Sequence, residues 1–142
     1  MKASYVSMLK ENLGVEMKGK IQGFGSWLNG KVVEVSDEGD IVMQFTVRDE
    51  MLNPMGNIHG GAISAIIDEI LGFQLFLQSE ENAAYVSMTM NIDFLKGATS
   101  GEVIRAVPKV NRIGRKTAHV SCQLYLGEKL MAIGSSNFMR VI

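Results

Sequence analysis

The stretch NPMGNIHGGAISAIID places Asn53, His59, Gly60, Gly61 and Asp68 at the start of an apolar segment. The first amides of a helix have no partner within it, and the peptide dipoles make that end electropositive. Gly60 and Gly61 carry no side chain, so a substrate carbonyl oxygen could reach those N–H groups directly, as in an oxyanion hole. An aspartate on the same segment could act as a general base or as a nucleophile. Together these groups suit attack on an activated carbonyl. A plainer account exists for each of them: solvated charges, a tight glycine turn, and a loop histidine that hydrogen-bonds its surroundings.

A helix from about Gly60 to Ser79 is predicted to carry the site. At about 100° per residue, Ile63, Ile66, Ile67, Ile70, Phe73 and Leu77 form one broad arc for burial against a sheet. Asp68 falls elsewhere, on a stripe with Gly61, Ser64, Gly72 and Leu75. Such small residues suit a subunit contact or a thin substrate tunnel. Glu69 points roughly 100° away from Asp68 and should not replace it.

The chain is 142 residues long, with 46% hydrophobic and 20% charged residues, as expected of one folded domain over residues 1–142. A net charge of −1 gives no global case for nucleic acid. Cys122 has no second cysteine to pair with, which fits a reducing, cytoplasmic setting and a packed, inert thiol. The N-terminal residues lack a secretion-signal pattern, and Ser64, Asp68, Glu69 and Gln74 interrupt the longest apolar tract, so no membrane span is expected. With only His59 and His119, and no clustered cysteines, a zinc site is not expected either.

The elements around the helix read as follows. A short packing helix ends near Leu13, and the glycine-rich segment to Gly30 has no clean period. KVVEVS and IVMQFTV are strands joined by a DEGD turn. After the helix, Val86, Met88, Met90, Ile92 and Phe94 alternate with Ser87, Thr89, Asn91 and Asp93, which predicts a strand with one core side. Three more strands follow, at about residues 102–111, 117–126 and 130–141, joined by RIGRK and GEK turns. Pro108 cannot donate to a ladder, so its strand is expected at an edge or bulged. The order predicts an α+β fold, with the long helix packed on an antiparallel sheet.

Lys109, Arg112, Arg115 and Lys116 crowd one predicted hairpin, where Gly114 would expose them together. They are either a solvated turn or an anion contact. Met55, Met88 and Met90 could line an adaptable tunnel or fill core gaps.

The array N-x5-HGG-x6-D, with AAYVSMTMNIDFLKGA, VNRIGRK and GSSNFMRV following in order, resembles the hotdog-fold acyl-CoA thioesterases of the phenylacetate-pathway branch. The resemblance implies a sheet wrapped around one central helix and a homo-oligomer, a dimer or dimer of dimers, with the site at a subunit boundary. It also implies Asp68 as the catalytic carboxylate and Gly60 as the oxyanion donor. Asn53 and His59 would orient the thioester and brace the loop, and Ser87 would act from the partner side. Coenzyme A, as part of the substrate and not as a cofactor, would meet Gly61, Arg112, Gly114, Arg115 and Lys116. The bulky pair Ile66 and Ile67 departs from the expected pattern and bears on tunnel width. Two other functions fit the scaffold: a non-catalytic acyl-CoA binding or sensing protein, and a dehydratase, whose histidine–acid motif is not found.

Overall fold

A computed structural model describes residues 1–142. Helix α1 spans Ala3–Glu11 and the short α2 spans Phe24–Leu28; strands β1 (Lys31–Val35) and β2 (Ile41–Thr46) follow. After a 3-10 turn at Asp49–Met51 come α3 (Gly60–Gln78), β3 (Tyr85–Phe94), β4 (Val103–Ile113), β5 (Thr117–Leu126) and β6 (Lys129–Arg140). The six strands form one sheet in the order β1-β2-β4-β5-β6-β3, and every pairing is antiparallel. The sheet wraps α3, the α+β hotdog arrangement that the sequence implied.

The core explains the wrapping. Ile66, Ile67 and Ile70 are fully buried against Ile104, Ala106, Ala118, Val120 and Ala132. The alanines keep the middle of the sheet shallow, so the helix can approach closely. Gly134 on β6 completes the depression: a Cβ there would stand 2.6 Å from Ile67 Cγ2. Ile66 and Ile67 therefore face the sheet and do not narrow any channel on the Asp68 side. By length and mean hydropathy (1.4) α3 could cross a membrane, but the sheet buries its isoleucines.

Burial on α3 is broader than the predicted arc. Leu71, Gln74 and Leu75 are buried too, while Phe73 is only half-buried. Gln74 is satisfied although no part of it is exposed: its side-chain oxygen accepts from Ile41 N–H at 3.0 Å and its amide donates to Gly39 C=O at 2.7 Å. These bonds fasten the β1–β2 turn to the helix. At the far end of α3, the Lys2 ammonium donates to Phe76 C=O, Ser79 Oγ and Glu80 C=O at 2.8–3.0 Å. Cationic donors belong at a helix C-terminus, where carbonyls lack partners.

Two expectations need correction. Pro108 lies in an interior strand, but the β2 ladder ends at Met43↔Ala106, so no neighbour asks Pro108 for a hydrogen on that side. The RIGRK and GEK turns do join β4, β5 and β6 into consecutive hairpins, and β3 pairs with β6, which leaves its other edge open. Finally, β3 has no buried side: Val86, Met88, Met90 and Phe94 are 49%, 44%, 38% and 54% exposed. A bulge between Ser87 and Thr89 also breaks its alternation. Residues opposite each other in a ladder share a face. Ser87 opposes buried Phe138 and so faces the helix, whereas Val86 opposes Met139 on the outer surface.

Candidate active site

His59 sets the helix start. Its backbone is extended (φ −65°, ψ 139°), and its Nδ1 accepts the Gly61 N–H at 2.8 Å. Its carbonyl accepts from Ala62 and Ile63 at 2.9 and 3.1 Å. Those three bonds use the first-turn amides one by one, and the Gly60 N–H is left without a partner. Gly61 needs its missing side chain for a local reason: a Cβ there would meet His59 Nδ1 at 2.9 Å. The Gly61 amide and the space beside it thus belong to the imidazole. Phe94, at the end of β3, lies over Gly60, 3.5 Å from where a Cβ would be. The sequence reading missed Phe94 because its place in the alternation marked it as core.

Asn53 braces the preceding loop. Its side-chain oxygen accepts from Met55 and Asn57 N–H at 3.0 and 3.2 Å, and its backbone bonds Asn57 and Gly56. The loop is then tied down by Ile58 N–H to Ala98 C=O at 2.7 Å and His59 N–H to Met51 C=O at 2.8 Å. Such anchoring fixes the helix entrance.

Asp68 is exposed and stands beside the bulge of β3, where Ser87 Oγ donates to its Oδ1 at 3.3 Å. The two lie on the same chain, so Ser87 and Asp68 form one unit on β3 and α3. Glu69, half-buried, faces the other flank, against Gly25. Burial, and secondarily the neighbouring Asp68 charge, push its carboxyl above the usual range.

The β4–β5 hairpin keeps Arg115 and Lys116 exposed and unpaired, while Arg112 donates to Thr117 Oγ1 at 2.7 Å. The Gly114 N–H donates to Thr117 C=O at 2.8 Å and closes the hairpin there, and a Cβ on it would press on that carbonyl oxygen at 3.2 Å. No three His, Cys, Asp or Glu side chains converge anywhere in the chain.

Residues 55–132 match the pattern of the thioesterase superfamily, and the chain belongs to it. Its class is that of hotdog-fold thioester hydrolases. The chain is similar to human acyl-coenzyme A thioesterase 13, 33% identical over 96 residues that cover 67% of this chain and 68% of that one. It superimposes on a phenylacetic acid degradation-related protein of Ralstonia eutropha with a TM-score of 0.78 and 25% identity, over 95% of this chain and 98% of that one. The PaaI protein of Escherichia coli shares the fold, with a TM-score of 0.81 at 20% identity over 100% and 97% of the two chains.

Proposed function

We propose that the protein hydrolyses an acyl-CoA thioester to a free acid and coenzyme A, at a site shared by two copies of the chain. One observation carries this reading. The unpaired Gly60 N–H and the Asp68 carboxylate lie eight residues apart on α3, about 12 Å along its axis. The amide must lie about 3 Å from the carbonyl oxygen and the carboxylate within one water of the carbonyl carbon, a shorter span than that, so the pair is better supplied by two chains. The ten-residue β3 has an open edge and exposed apolar side chains, and it stands next to Asp68. Open edges of this kind pair readily, and a two-fold pairing would bring each Asp68 towards the other chain's helix entrance.

In this scheme the Gly60 amide and the α3 dipole stabilise the carbonyl oxygen as it becomes negative. Asp68 takes a proton from water as the water oxygen bonds to the carbonyl carbon. The C–S bond then breaks, and the proton returns to the departing thiolate. Direct attack by Asp68 would instead give an acyl anhydride that water opens, with the same products. The Ser87 hydroxyl holds the Asp68 rotamer, and Asn53 and His59 hold the helix entrance. Lys116 suits the coenzyme A phosphates as a point charge, and Arg112 and Arg115 suit them as planar forks. The buried Cys122 thiol fits work in the reducing cytoplasm.

The test is free-thiol release from a panel of acyl-CoA thioesters, with wild type and Asp68→Asn side by side. Turnover should fall at least about a hundredfold in the variant while acyl-CoA still binds. Wild type that binds acyl-CoA and never cleaves it would make the protein a sensor. Normal turnover by Asp68→Asn would remove Asp68 from the site.

A further inference from the structure

On the flank of α3 away from Asp68, a cavity of about 250 Å³ lies beneath α1 and the glycine-rich segment before β1. One charged side chain, Glu69, stands in an otherwise apolar and aromatic wall. Gly25 and Ile21 line the same wall, and a Cβ on Gly25 would overlap Glu69 Oε1 and stand 2.9 Å from Ile21 Cδ1. The carboxylate end of Glu69, and not only its stem, therefore lies at the cavity. Successive residues on a helix diverge by about 100°, so this space and the Asp68–Ser87 pair occupy different faces of α3.

Glu69 is half-buried, and no donor in the chain reaches it. The three ion pairs use Asp37, Glu50 and Glu80 instead. The neighbouring charge that acts on Glu69 is that of Asp68, which has the same sign. Carboxylates withdrawn from water normally find a cation or an N–H group. Gln74, further along the same helix, has both ends of its side chain bonded. A leucine or glutamine at position 69 would line the cavity without withdrawing a charge from water.

The rings point to the same kind of ligand. Tyr5 packs edge-on against Phe76 with centroids 4.9 Å apart, Phe73 lies 6.4 Å from Phe76, and all three line the cavity. Aromatic faces attract ammonium groups, and the Phe76 ring already holds Lys2 Nζ 4.5 Å from its centroid. An apolar cavity of about 150 Å³ takes benzene, so the space here suits one ring with a short arm.

We propose that this cavity is a second ligand site that takes an organic ammonium, a primary or secondary amine on an aryl or branched alkyl body, whose N–H groups donate to the Glu69 carboxylate. The body lies among the rings of Tyr5, Phe73 and Phe76. The site stands apart from the thioester chemistry, and its test reads binding alone.

The full chain is titrated calorimetrically at pH 8 with 2-phenylethylamine, protonated at that pH, and with 2-phenylethanol, its neutral isostere. Wild type should bind the amine in the low millimolar range or tighter and at least about tenfold more strongly than the alcohol, the scale of a hydrogen bond to a charged group. Glu69→Gln should bring that ratio close to one, and its thermal melt checks that the variant is folded. Methyl spectra of 13C-methionine protein locate the ligand in wild type, whatever the variant does. Met8, Met17 and Met43 line the cavity and should shift with the amine, whereas Met88 and Met90 on β3 should not. Equal binding of amine and alcohol, or a preference that survives in folded Glu69→Gln, overturns the ammonium assignment. Shifts confined to Met88 and Met90 would put the ligand on the Asp68 face and overturn the location. No binding of the amine at millimolar concentration overturns the site.

Discussion

His59 Nδ1 accepts the Gly61 amide at 2.8 Å, and that one bond decides which first-turn N–H of α3 is free for a ligand. With Ala62 and Ile63 donating to the His59 carbonyl, only Gly60 remains. The imidazole is therefore a positioning group for the helix entrance.

Replacing the imidazole tests that role. His59→Ala should cost about 1 kcal/mol of stability, the usual value of a helix cap, and His59→Asn should restore much of it. Urea unfolding would show a lower midpoint at an unchanged slope for His59→Ala. Turnover should follow the same order, wild type above asparagine above alanine.

Glu69 gives a pH dependence whose sign is fixed. Its folded carboxyl titrates above the unfolded value, so the unfavourable charge is fully present above the folded pKa. As pH falls through that pKa the group protonates and the penalty disappears, and below the unfolded value none is left. Glu69→Gln should accordingly raise the melting temperature at pH 8, and the gain should shrink towards pH 4.5. A gain that grows on acidification would contradict the burial of this side chain.

Gln74 holds two backbone groups that nothing else reaches. Gln74→Leu matches the surrounding core but strands Ile41 N–H and Gly39 C=O, at about 1–3 kcal/mol each. Denaturant titration should show at least roughly 2 kcal/mol lost. Faster hydrogen exchange should be confined to the β1–β2 turn.

Burial pushes the Cys122 thiol up to about 12, against a smaller opposing effect from the Gly134 backbone. The nucleophile in thiol chemistry is the thiolate, so native protein at pH 8 should not react with a disulfide reagent within minutes. Unfolded protein should release one equivalent at once, in line with the single cysteine.

Much was legible in the residues alone. The β-branched runs, the apolar arc of α3 and the turn residues mark six strands and a long helix, because side-chain periodicity is a local property. The HGG start and Asp68 were legible for the same reason: a helix end and the angle around a helix depend only on neighbours in the chain. Three things were decided by packing between distant segments. The return of β3 to pair with β6 leaves the β3 edge open, and its bulge turns Ser87 towards Asp68 against the alternation. Gln74, polar in sequence, is fully buried because the β1–β2 turn brings it partners from more than thirty residues away. Tyr85 reads as an ordinary strand residue until packing seals its hydroxyl from solvent and leaves it unpaired. Partners of this kind are set by which surfaces meet, and periodicity along one chain segment carries no record of them.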